Sequence, residues 1–365
     1  MTPRVLVLTA SVGEGHDRPA RLLAEQIHRE QPDAVVTIED CLPALGRVVA
    51  ALSAGAPRIV FYRFLWLWDL GFWFFVRSAV TRPLTQSLLT RLGTPGLLRL
   101  IARLDPDVIV SVYPNVTEIL GRLRRSDRID VPVVAGITDL AGMHYWASRG
   151  VDVHLLTHPE SVQEVRQVIG GDGPIHCVHG FTSAEFLEPR PQADARRELG
   201  LPEEGNMILV SGGGWGVGDI LGAIEITLRL DEVAHVVCLC GRNDALRAQL
   251  AARFAGDERV RVEGFTEQMS DWMAAADALV HSTGGLTVLE ALMRGCPAIS
   301  YGWGRGHLRL NNEAFLRFGL AQVAGTPVEL LTALRRALAG GRTVTSSFVG
   351  LPSAASFVLE AADAA

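Results

Sequence analysis

The hydrophobic and polar positions along the chain follow the alternation of a parallel α/β protein. Short apolar runs, typical of strands buried on both faces of a sheet, are separated by stretches in which apolar residues recur every three or four positions, typical of helices. The pattern predicts strands at residues 5–8, 35–38, 108–112, 131–137 and 153–156, and again at 207–211, 236–239, 260–262, 278–281 and 298–301. It predicts helices at residues 19–30, 221–230 and 286–294. Strands that alternate with helices predict parallel sheets with helices on both faces.

The two halves of the chain repeat one plan, in which a strand leads through a glycine-containing turn into a helix. A chain of 365 residues accommodates two domains of ordinary size. Pro189, Pro191 and Pro202 interrupt the pattern and place the boundary near residues 180–202. The predicted division is an N-terminal domain over residues 1–183, a second domain over residues 184–345, and a terminal helix within residues 346–365 that packs back on the first domain. Two doubly wound domains of this kind bind ligands at the carboxyl ends of their strands, in the cleft between them.

Composition narrows the range of functions. Hydrophobic residues make up 48% of the chain and charged residues 20%, as in packed globular proteins. All 34 basic residues are arginine, which excludes the lysine-dependent sites of P-loop nucleotidases, protein kinases and pyridoxal-phosphate enzymes. The net charge of −6 argues against a general nucleic-acid binder. The cysteines have no zinc-type spacing and predict buried free thiols in a reducing compartment; they are Cys41, Cys177, Cys238, Cys240 and Cys296.

Residues 47–103 differ from the rest of the chain in charge and aromatic content. This stretch holds eight arginines and one acid, Asp69, and encloses a run of large aromatic residues at 61–75. Charged residues interrupt the run before it reaches the ~20 apolar positions that a membrane span needs. The composition is typical of a helix that lies in the interface of an anionic membrane. The alternative is a buried helix or an oligomer contact. The residues predicted to meet a lipid acceptor or the membrane are Arg63, Trp66, Trp68, Trp73 and Phe74.

Two segments of the first half carry candidate chemistry after a predicted strand. Residues 11–16 place His16 at a helix start, where an imidazole acts as a base or binds an oxyanion. A helix-capping loop with an incidental histidine is the alternative. Asp139 and His144 follow the strand at 131–137. Asp139 is a candidate base for an acceptor hydroxyl, acting directly or through a histidine, or else a helix cap.

Two glycine-rich turns of the second half are candidate anion sites. Residues 212–218 read Gly-Gly-Gly-Trp-Gly-Val-Gly, and their bare amides, Gly213 and Gly214 among them, suit a pyrophosphate. Residues 281–290 hold a second turn, in which the amides of residues 283–286 and the hydroxyls of Ser282 and Thr287 are candidate ligands of phosphate oxygens. Glu290 lies one turn further along the predicted helix, placed to accept two hydrogen bonds from a ribose diol. The alternative for Glu290 is a solvated helix residue.

These motifs together resemble those of the GT-B glycosyltransferases, and among them the monogalactosyldiacylglycerol synthase group of lipid glycosyltransferases. The resemblance rests on Ser-Val-Gly-Glu-Gly-His at residues 11–16, on Thr138-Asp139 with His144 and Trp146, on residues 262–269 followed by Ala-Ala-Asp at 275–277, and on Gly-Gly-Leu-Thr-Val-Leu-Glu-Ala at 284–291 with Gly295 and Pro297. It covers about residues 4–320. The fold that it implies is α/β, with two Rossmann-like doubly wound domains facing across a cleft.

The resemblance also implies a set of ligands and site residues. The donor would be a UDP-sugar, with Phe265 and Met269 against the uracil and Glu290 at the ribose. The diphosphate would be held by Gly284, Gly285 and Thr287 of the second turn, beside the candidates Ser282 and Thr283 selected above from the turn itself. A lipid acceptor such as diacylglycerol would enter from the first domain. Helix dipoles and amides would stabilise the leaving diphosphate, so no metal and no further cofactor is implied.

The sequence departs from the family pattern where the donor sugar binds. Asn311 matches the family asparagine, but His307 and Leu308 stand in place of two polar residues that contact the sugar. Arg305 and Arg309 lie close by in sequence and are compatible with an acidic sugar or a diphosphate.

The predicted function is an inverting transfer of a hexose from a UDP-sugar to a lipid, on the inner face of the cell membrane by a cytoplasmic, peripheral protein. The alternatives are a UDP-sugar epimerase of the same fold, a transferase with a soluble acceptor, and a sugar-nucleotide binder without catalysis.

Overall fold

The structure is a computed structural model and describes residues 2–11, 14–46, 81–302, 307–344 and 350–364, without the side chains of Glu14, Arg82 and His307. It divides into two compact units. Unit 1 comprises Met1–Thr182 with Leu351–Ala365, and unit 2 comprises Ser183–Gly350.

Unit 1 is a doubly wound parallel sheet. Its strands are β1 (Arg4–Thr9), β2 (Val35–Asp40), β3 (Val108–Ser111), β4 (Val133–Ile137), β5 (Val153–Leu156) and β6 (Ile175–Cys177). Its helices are α1 (Glu14–Glu30), α2 (Arg82–Leu104), α3 (Pro114–Arg125), α4 (Met143–Trp146) and α5 (Val162–Ile169), completed by α13 (Ala354–Asp363) from the end of the chain. The strand order is β2-β1-β3-β4-β5-β6, so the winding direction reverses between β1 and β3.

The central strands of unit 1 are mainly apolar because both faces of the sheet are covered. Alternate residues of β1 point to opposite faces. Leu6 and Leu8 pack in the cluster that also holds Ile119 of α3. Val5 and Val7 pack in the cluster formed with α1 and α13. The terminal helix α13 is therefore part of the core of unit 1, and its Ala354, Ala355 and Val358 are fully buried.

Unit 2 repeats the architecture. Its strands are β7 (Asn206–Ser211), β8 (Val233–Leu239), β9 (Val260–Glu263), β10 (Ala278–His281), β11 (Ala298–Tyr301) and β12 (Gln322–Ala324). Its helices are α6 (Gln192–Glu198), α7 (Ile220–Thr227), α8 (Asp244–Arg253), α9 (Met269–Ala275), α10 (Gly285–Met293), α11 (His307–Phe318) and α12 (Pro327–Gly340). The order β12-β11-β10-β7-β8-β9 reverses its winding direction between β7 and β10. This is the strand order of the classical dinucleotide-binding fold.

The α/β fold predicted from the pattern is confirmed, and each strand predicted above is present. Among the described residues two strands were missed, β6 and β12, which have three residues each and lie at sheet edges. The first helix begins at Glu14, five positions before the predicted start at residue 19, so Pro19 lies inside it. The five cysteines are free thiols, and all except Cys177 are buried.

Candidate active site

The candidate residues of unit 1 lie at the point where the strand order reverses. In open α/β sheets ligands bind outside the carboxyl ends of the strands at such a reversal. Strands β1 and β3 are neighbours there. His16 lies in the first turn of α1, which follows β1, and Thr9 at the end of β1 anchors that helix through a 2.9 Å hydrogen bond from its hydroxyl to Asp17 Oδ1.

His16 is held in a defined orientation. Its Nδ1 lies 2.9 Å from the carbonyl oxygen of Val112, directly after β3. Because a carbonyl only accepts, Nδ1 carries the proton in this bond, and Nε2 of the neutral ring keeps its lone pair. The imidazole meets the ring of Tyr113 edge to face, with centroids 5.2 Å apart, and that of Trp146 at 5.7 Å. A ring fixed in this tautomer is suited to accept a proton.

The Asp139 and His144 segment follows β4 at the same edge of the sheet. Asp139 is half-buried two residues beyond the strand. His144 lies on the short helix α4, with its ring 4.0 Å from that of Tyr145. Helix α4 is fixed at its start by a 3.0 Å hydrogen bond from the Met143 amide to Glu164. The structure thus brings one aromatic residue of this segment, Trp146, against His16.

The two glycine-rich turns of unit 2 meet where β7 and β10 are neighbours, at the reversal of strand order. A side chain on Gly213 would lie 2.8 Å from Thr283 Cγ2, and one on Gly218 would lie 2.4 Å from Ser282 Oγ. The Ser282 hydroxyl donates to the carbonyl of Val217 at 2.5 Å. Ser282 therefore fastens one turn to the other, and the two segments that the sequence selected for phosphate form one continuous surface.

Helix α10 begins at Gly285 within this surface. Its N-cap residue, Gly284, has no side chain, and no side-chain cap is found for it in the described structure. The first-turn amides, with the positive end of the helix dipole, favour an anion. Glu290 is 5% exposed, so the interpretation of this residue as a solvated helix residue is wrong. A buried carboxylate is retained where it has polar partners or a ligand to bind.

His281 supports the second turn from beneath. Its Nδ1 accepts a hydrogen bond from the Thr283 amide at 3.2 Å and lies 3.0 Å from the Thr283 hydroxyl. The Thr283 amide, one of the predicted phosphate ligands, is thus engaged within the turn. Burial lowers the pKa of His281 to about 4, so the ring is neutral at physiological pH.

The predicted uracil residues follow β9. Phe265 is 43% exposed, and Met269 is the first residue of α9. The guanidinium carbon of Arg242 lies 3.7 Å from the centroid of the Phe265 ring. Sequence reasoning did not select Arg242.

The residues predicted for the donor sugar begin helix α11. His307 is its first residue, and Asn311 is 1% exposed. The neighbouring Asn312 accepts a 2.7 Å hydrogen bond from the Ser300 hydroxyl, which fixes the helix against β11. Arg309 is exposed and pairs with Glu313 at 3.6 Å on the same helix. Arg305 lies outside the described residues.

The aromatic segment also lies outside the described residues, and with it Arg63, Trp66, Trp68, Trp73 and Phe74. The helix that follows it, α2, exposes Leu84, Leu88 and Leu92 by 71%, 57% and 48%. Residues four apart share a helix face, so these leucines form one apolar stripe. Among the described helices, none has the length and hydropathy to cross a bilayer. The described residues also contain no group of three or more metal-ligating side chains.

Each unit of the chain matches a known family model. Residues 16–173 match the family model of monogalactosyldiacylglycerol synthase, and residues 215–339 match that of glycosyl transferases group 1. The chain is 24% identical over 347 residues to the processive diacylglycerol beta-glucosyltransferase of Staphylococcus aureus, covering 94% of this chain and 86% of the relative. The chain is a glycosyltransferase of the GT-B fold. The resemblance found in its motifs is thereby confirmed.

Solved structures share the fold of this GT-B glycosyltransferase. MurG of Acinetobacter baumannii is 16% identical, with a TM-score of 0.57, and the likeness covers 100% of this chain and 95% of that chain. A protein of Listeria monocytogenes described as a UDP-N-acetylglucosamine 2-epimerase is 13% identical, with a TM-score of 0.57 over 93% of this chain and 88% of that chain. Transferases and an epimerase share this architecture, so the fold alone does not separate the two reactions.

Two residues of this GT-B glycosyltransferase enter the candidate site without having been predicted. Tyr113 follows the carboxyl end of β3, and Arg242 follows that of β8. Both positions obey the rule that parallel sheets bind ligands at the carboxyl ends of their strands. Applying that rule to each predicted strand, and not only to those followed by glycine or histidine, would have selected both.

Proposed function

We propose that the protein transfers a hexose from a UDP-sugar to the hydroxyl of a membrane lipid such as diacylglycerol, with inversion at the anomeric carbon. The observation that carries the proposal is the geometry of His16. Its imidazole is fixed through Nδ1 to the Val112 carbonyl at 2.9 Å, at the reversal point of the unit that matches the monogalactosyldiacylglycerol synthase model.

The donor half of the reaction belongs to unit 2. The amides at the start of α10 and the glycine turn after β7 receive the diphosphate, because they are fastened together at Ser282 and carry partial positive charge. The buried carboxylate of Glu290 accepts the ribose hydroxyls. Phe265 and Met269 form part of the uracil site. Charge that develops on the leaving UDP is stabilised by these amides without a metal ion.

The acceptor half belongs to unit 1. His16 Nε2 takes the proton of the acceptor hydroxyl as that oxygen attacks the anomeric carbon, and Asp139 and His144 orient the acceptor or the base. General base catalysis by a positioned imidazole typically contributes a factor of about 10²–10⁴ in rate.

A lipid acceptor is supported by two features. The relative in Staphylococcus aureus is named for diacylglycerol. The exposed leucines of α2 follow directly after the arginine-flanked aromatic segment. An apolar stripe beside basic residues suits a peripheral contact with an anionic bilayer.

The experiment that tests the proposal measures UDP release from a panel of UDP-sugars, with vesicles that contain or lack diacylglycerol. Release that requires both diacylglycerol and one particular sugar is the expected result, and mass spectrometry of the lipid fraction identifies the product. Conversion of a UDP-sugar to its epimer without any acceptor would replace the proposal by the epimerase reaction. UDP release with a soluble alcohol but not with vesicles would remove the lipid acceptor from it.

A further inference from the structure

A cation–aromatic pair stands at the carboxyl edge of unit 2, beside the glycine turns. Arg242 and Phe265 follow the neighbouring strands β8 and β9. The guanidinium carbon lies 3.7 Å from the ring centroid, which is van der Waals contact with the ring face. Both side chains are exposed. Exposed cation–π contacts contribute little to folding, so folding stability alone does not explain a pair held this closely.

The backbone beneath Arg242 is fixed to the glycine turn. The Arg242 amide donates to the carbonyl of Gly214 at 2.8 Å. Gly241 has a φ of +57°, and a side chain there would lie 2.4 Å from the Gly213 carbonyl oxygen. Asn243 caps helix α8 by accepting from the Leu246 amide at 3.0 Å. Arg242 is therefore anchored to the turn that is proposed for the diphosphate.

The loop beneath Phe265 is equally constrained. The Thr266 hydroxyl oxygen accepts hydrogen bonds from the Gln268 amide at 3.0 Å and from Trp272 Nε1 at 3.2 Å. Trp272 is buried in α9. The two loops thus present the guanidinium and the ring in a preorganised arrangement, which lowers the entropy lost when a ligand binds.

We propose that the nucleobase of the donor stacks on the guanidinium plane of Arg242, which in turn packs on the ring of Phe265. This inference rests on the proposed function, because it takes the donor to be a uridine nucleotide. A guanidinium is planar, and bases stack on such planes as they do on aromatic rings. Phe265 then acts through Arg242, since the guanidinium covers the face of the ring and the base meets the guanidinium first.

The distinction between a base contact and a phosphate contact decides the experiment. A phosphate contact depends on charge, so lysine would substitute for arginine and uridine would bind as before. A base contact depends on the planar group, so lysine would not substitute and the loss would not depend on phosphate.

The test is calorimetric or competition binding of uridine, UMP and UDP to the full-length protein and to Arg242→Lys and Arg242→Gln. Both variants are expected to weaken all three ligands by the same factor, about fivefold or more, as for the loss of one stacked base. Phe265→Ala is expected to weaken binding non-additively with Arg242→Gln, because the two side chains form one unit.

Arg253→Gln is the matched control. Its guanidinium lies over Phe254 at 5.4 Å, in the last turn of α8 and so toward the amino ends of the strands, opposite the candidate site. It should bind UDP as the unaltered protein does. Unchanged UDP affinity in both Arg242 variants would overturn this inference alone. UDP affinity that is lost in Arg242→Gln but retained in Arg242→Lys would overturn it as well. An unaltered protein that binds no uridine nucleotide overturns the proposed function and this inference with it.

Discussion

Lowering the pH from neutral to about 5 should destabilise each unit through a buried histidine whose pKa is lowered. His154 of β5 and His281 of β10 are 1% and 2% exposed. Burial lowers the pKa of each to about 4, against 6.5 for an unperturbed histidine. The unfolded chain therefore binds the proton first as the pH falls. The stability is fully present above about pH 6.5 and is lost as the pH falls toward 4.

The size of the effect follows from these pKa values. Each unit of difference between the pKa in the folded protein and the pKa in the unfolded chain corresponds to about 1.36 kcal/mol of stability. At pH 5 each histidine should lower the free energy of unfolding of its unit by about 2 kcal/mol, rising to about 3 kcal/mol below pH 4. Carboxylates with ordinary pKa values titrate mostly below pH 5. The change in the free energy of unfolding between pH 6.5 and 5 therefore reports histidines and not carboxylates.

The assay is urea-induced unfolding at about pH 8, 6.5 and 5, with two variants that keep one acceptor but cannot titrate. Asn at 281 keeps an acceptor near the position of Nδ1, to which the Thr283 amide donates. Gln at 154 keeps an acceptor near Nε2, to which the Ser148 amide donates at 3.3 Å. His281→Asn and His154→Gln should each reduce the pH dependence of the unit that carries the change; in unit 1 a smaller dependence remains, because burial also lowers the pKa of His179. Equal losses in the variants and the unaltered protein would refute the reasoning.

Three further predictions concern single residues with matched controls. His16→Ala should lower kcat by a factor of about 10²–10⁴ without changing the thermal unfolding of the protein. The control is His28→Ala, on the same helix and with the same kind of Nδ1-to-carbonyl hydrogen bond, and it should leave kcat unchanged. Equal rates in the two variants would exclude His16 as the base. Gly241→Ala should lower the Tm and weaken UDP binding, because position 241 combines a φ of +57° with a clash against the backbone. The control is Gly200→Ala, where φ is +62° but no atom lies within 4 Å of the added methyl group, so that only the backbone strain remains. This control should change the Tm and UDP binding less. Arg196→Met should cost about 3–5 kcal/mol in urea unfolding, because Asp277 loses its ion-pair partner near the core. The control is Arg197→Met, at a side chain that is 66% exposed, and it should cost less than about 1 kcal/mol. Similar costs for the two variants would contradict a buried ion pair.

The central strands were predictable because they are buried on both faces and their sequences are mainly apolar. The edge strands β6 and β12 were not, since Ile-His-Cys and Gln-Val-Ala are too short and too mixed to form a run. The chemistry of the site was partly predictable for the same reason. His16 and the glycine turns follow strands that the pattern located, and the carboxyl-end rule placed them.

Contacts between distant parts of the chain could not be predicted from the pattern of hydrophobic and polar residues. The Ser282 hydroxyl bonds to a carbonyl 65 positions away, and Arg242 stacks on a residue in the next strand loop. Neither contact leaves a local signal, because both depend on which strands are neighbours. Glu290 was predicted as a ribose ligand from its position along the helix, but its burial could not be predicted, because the pattern does not show which face of the helix the carboxylate occupies.

The position of α13 has a consequence for the order in which the protein acquires its structure during synthesis. The Pro352 carbonyl accepts from the His179 amide at 3.0 Å, and the His179 carbonyl accepts from Ala354 at 2.8 Å, so a segment made after unit 2 completes unit 1. Domains fold as units while the chain emerges. Residues 183–350 are continuous and are therefore free to fold while the first 182 residues still expose the apolar face that α13 will cover. Chaperone demand should accordingly fall on the earlier-made half, and a fragment ending near residue 182 should aggregate where one spanning 183–350 stays monomeric.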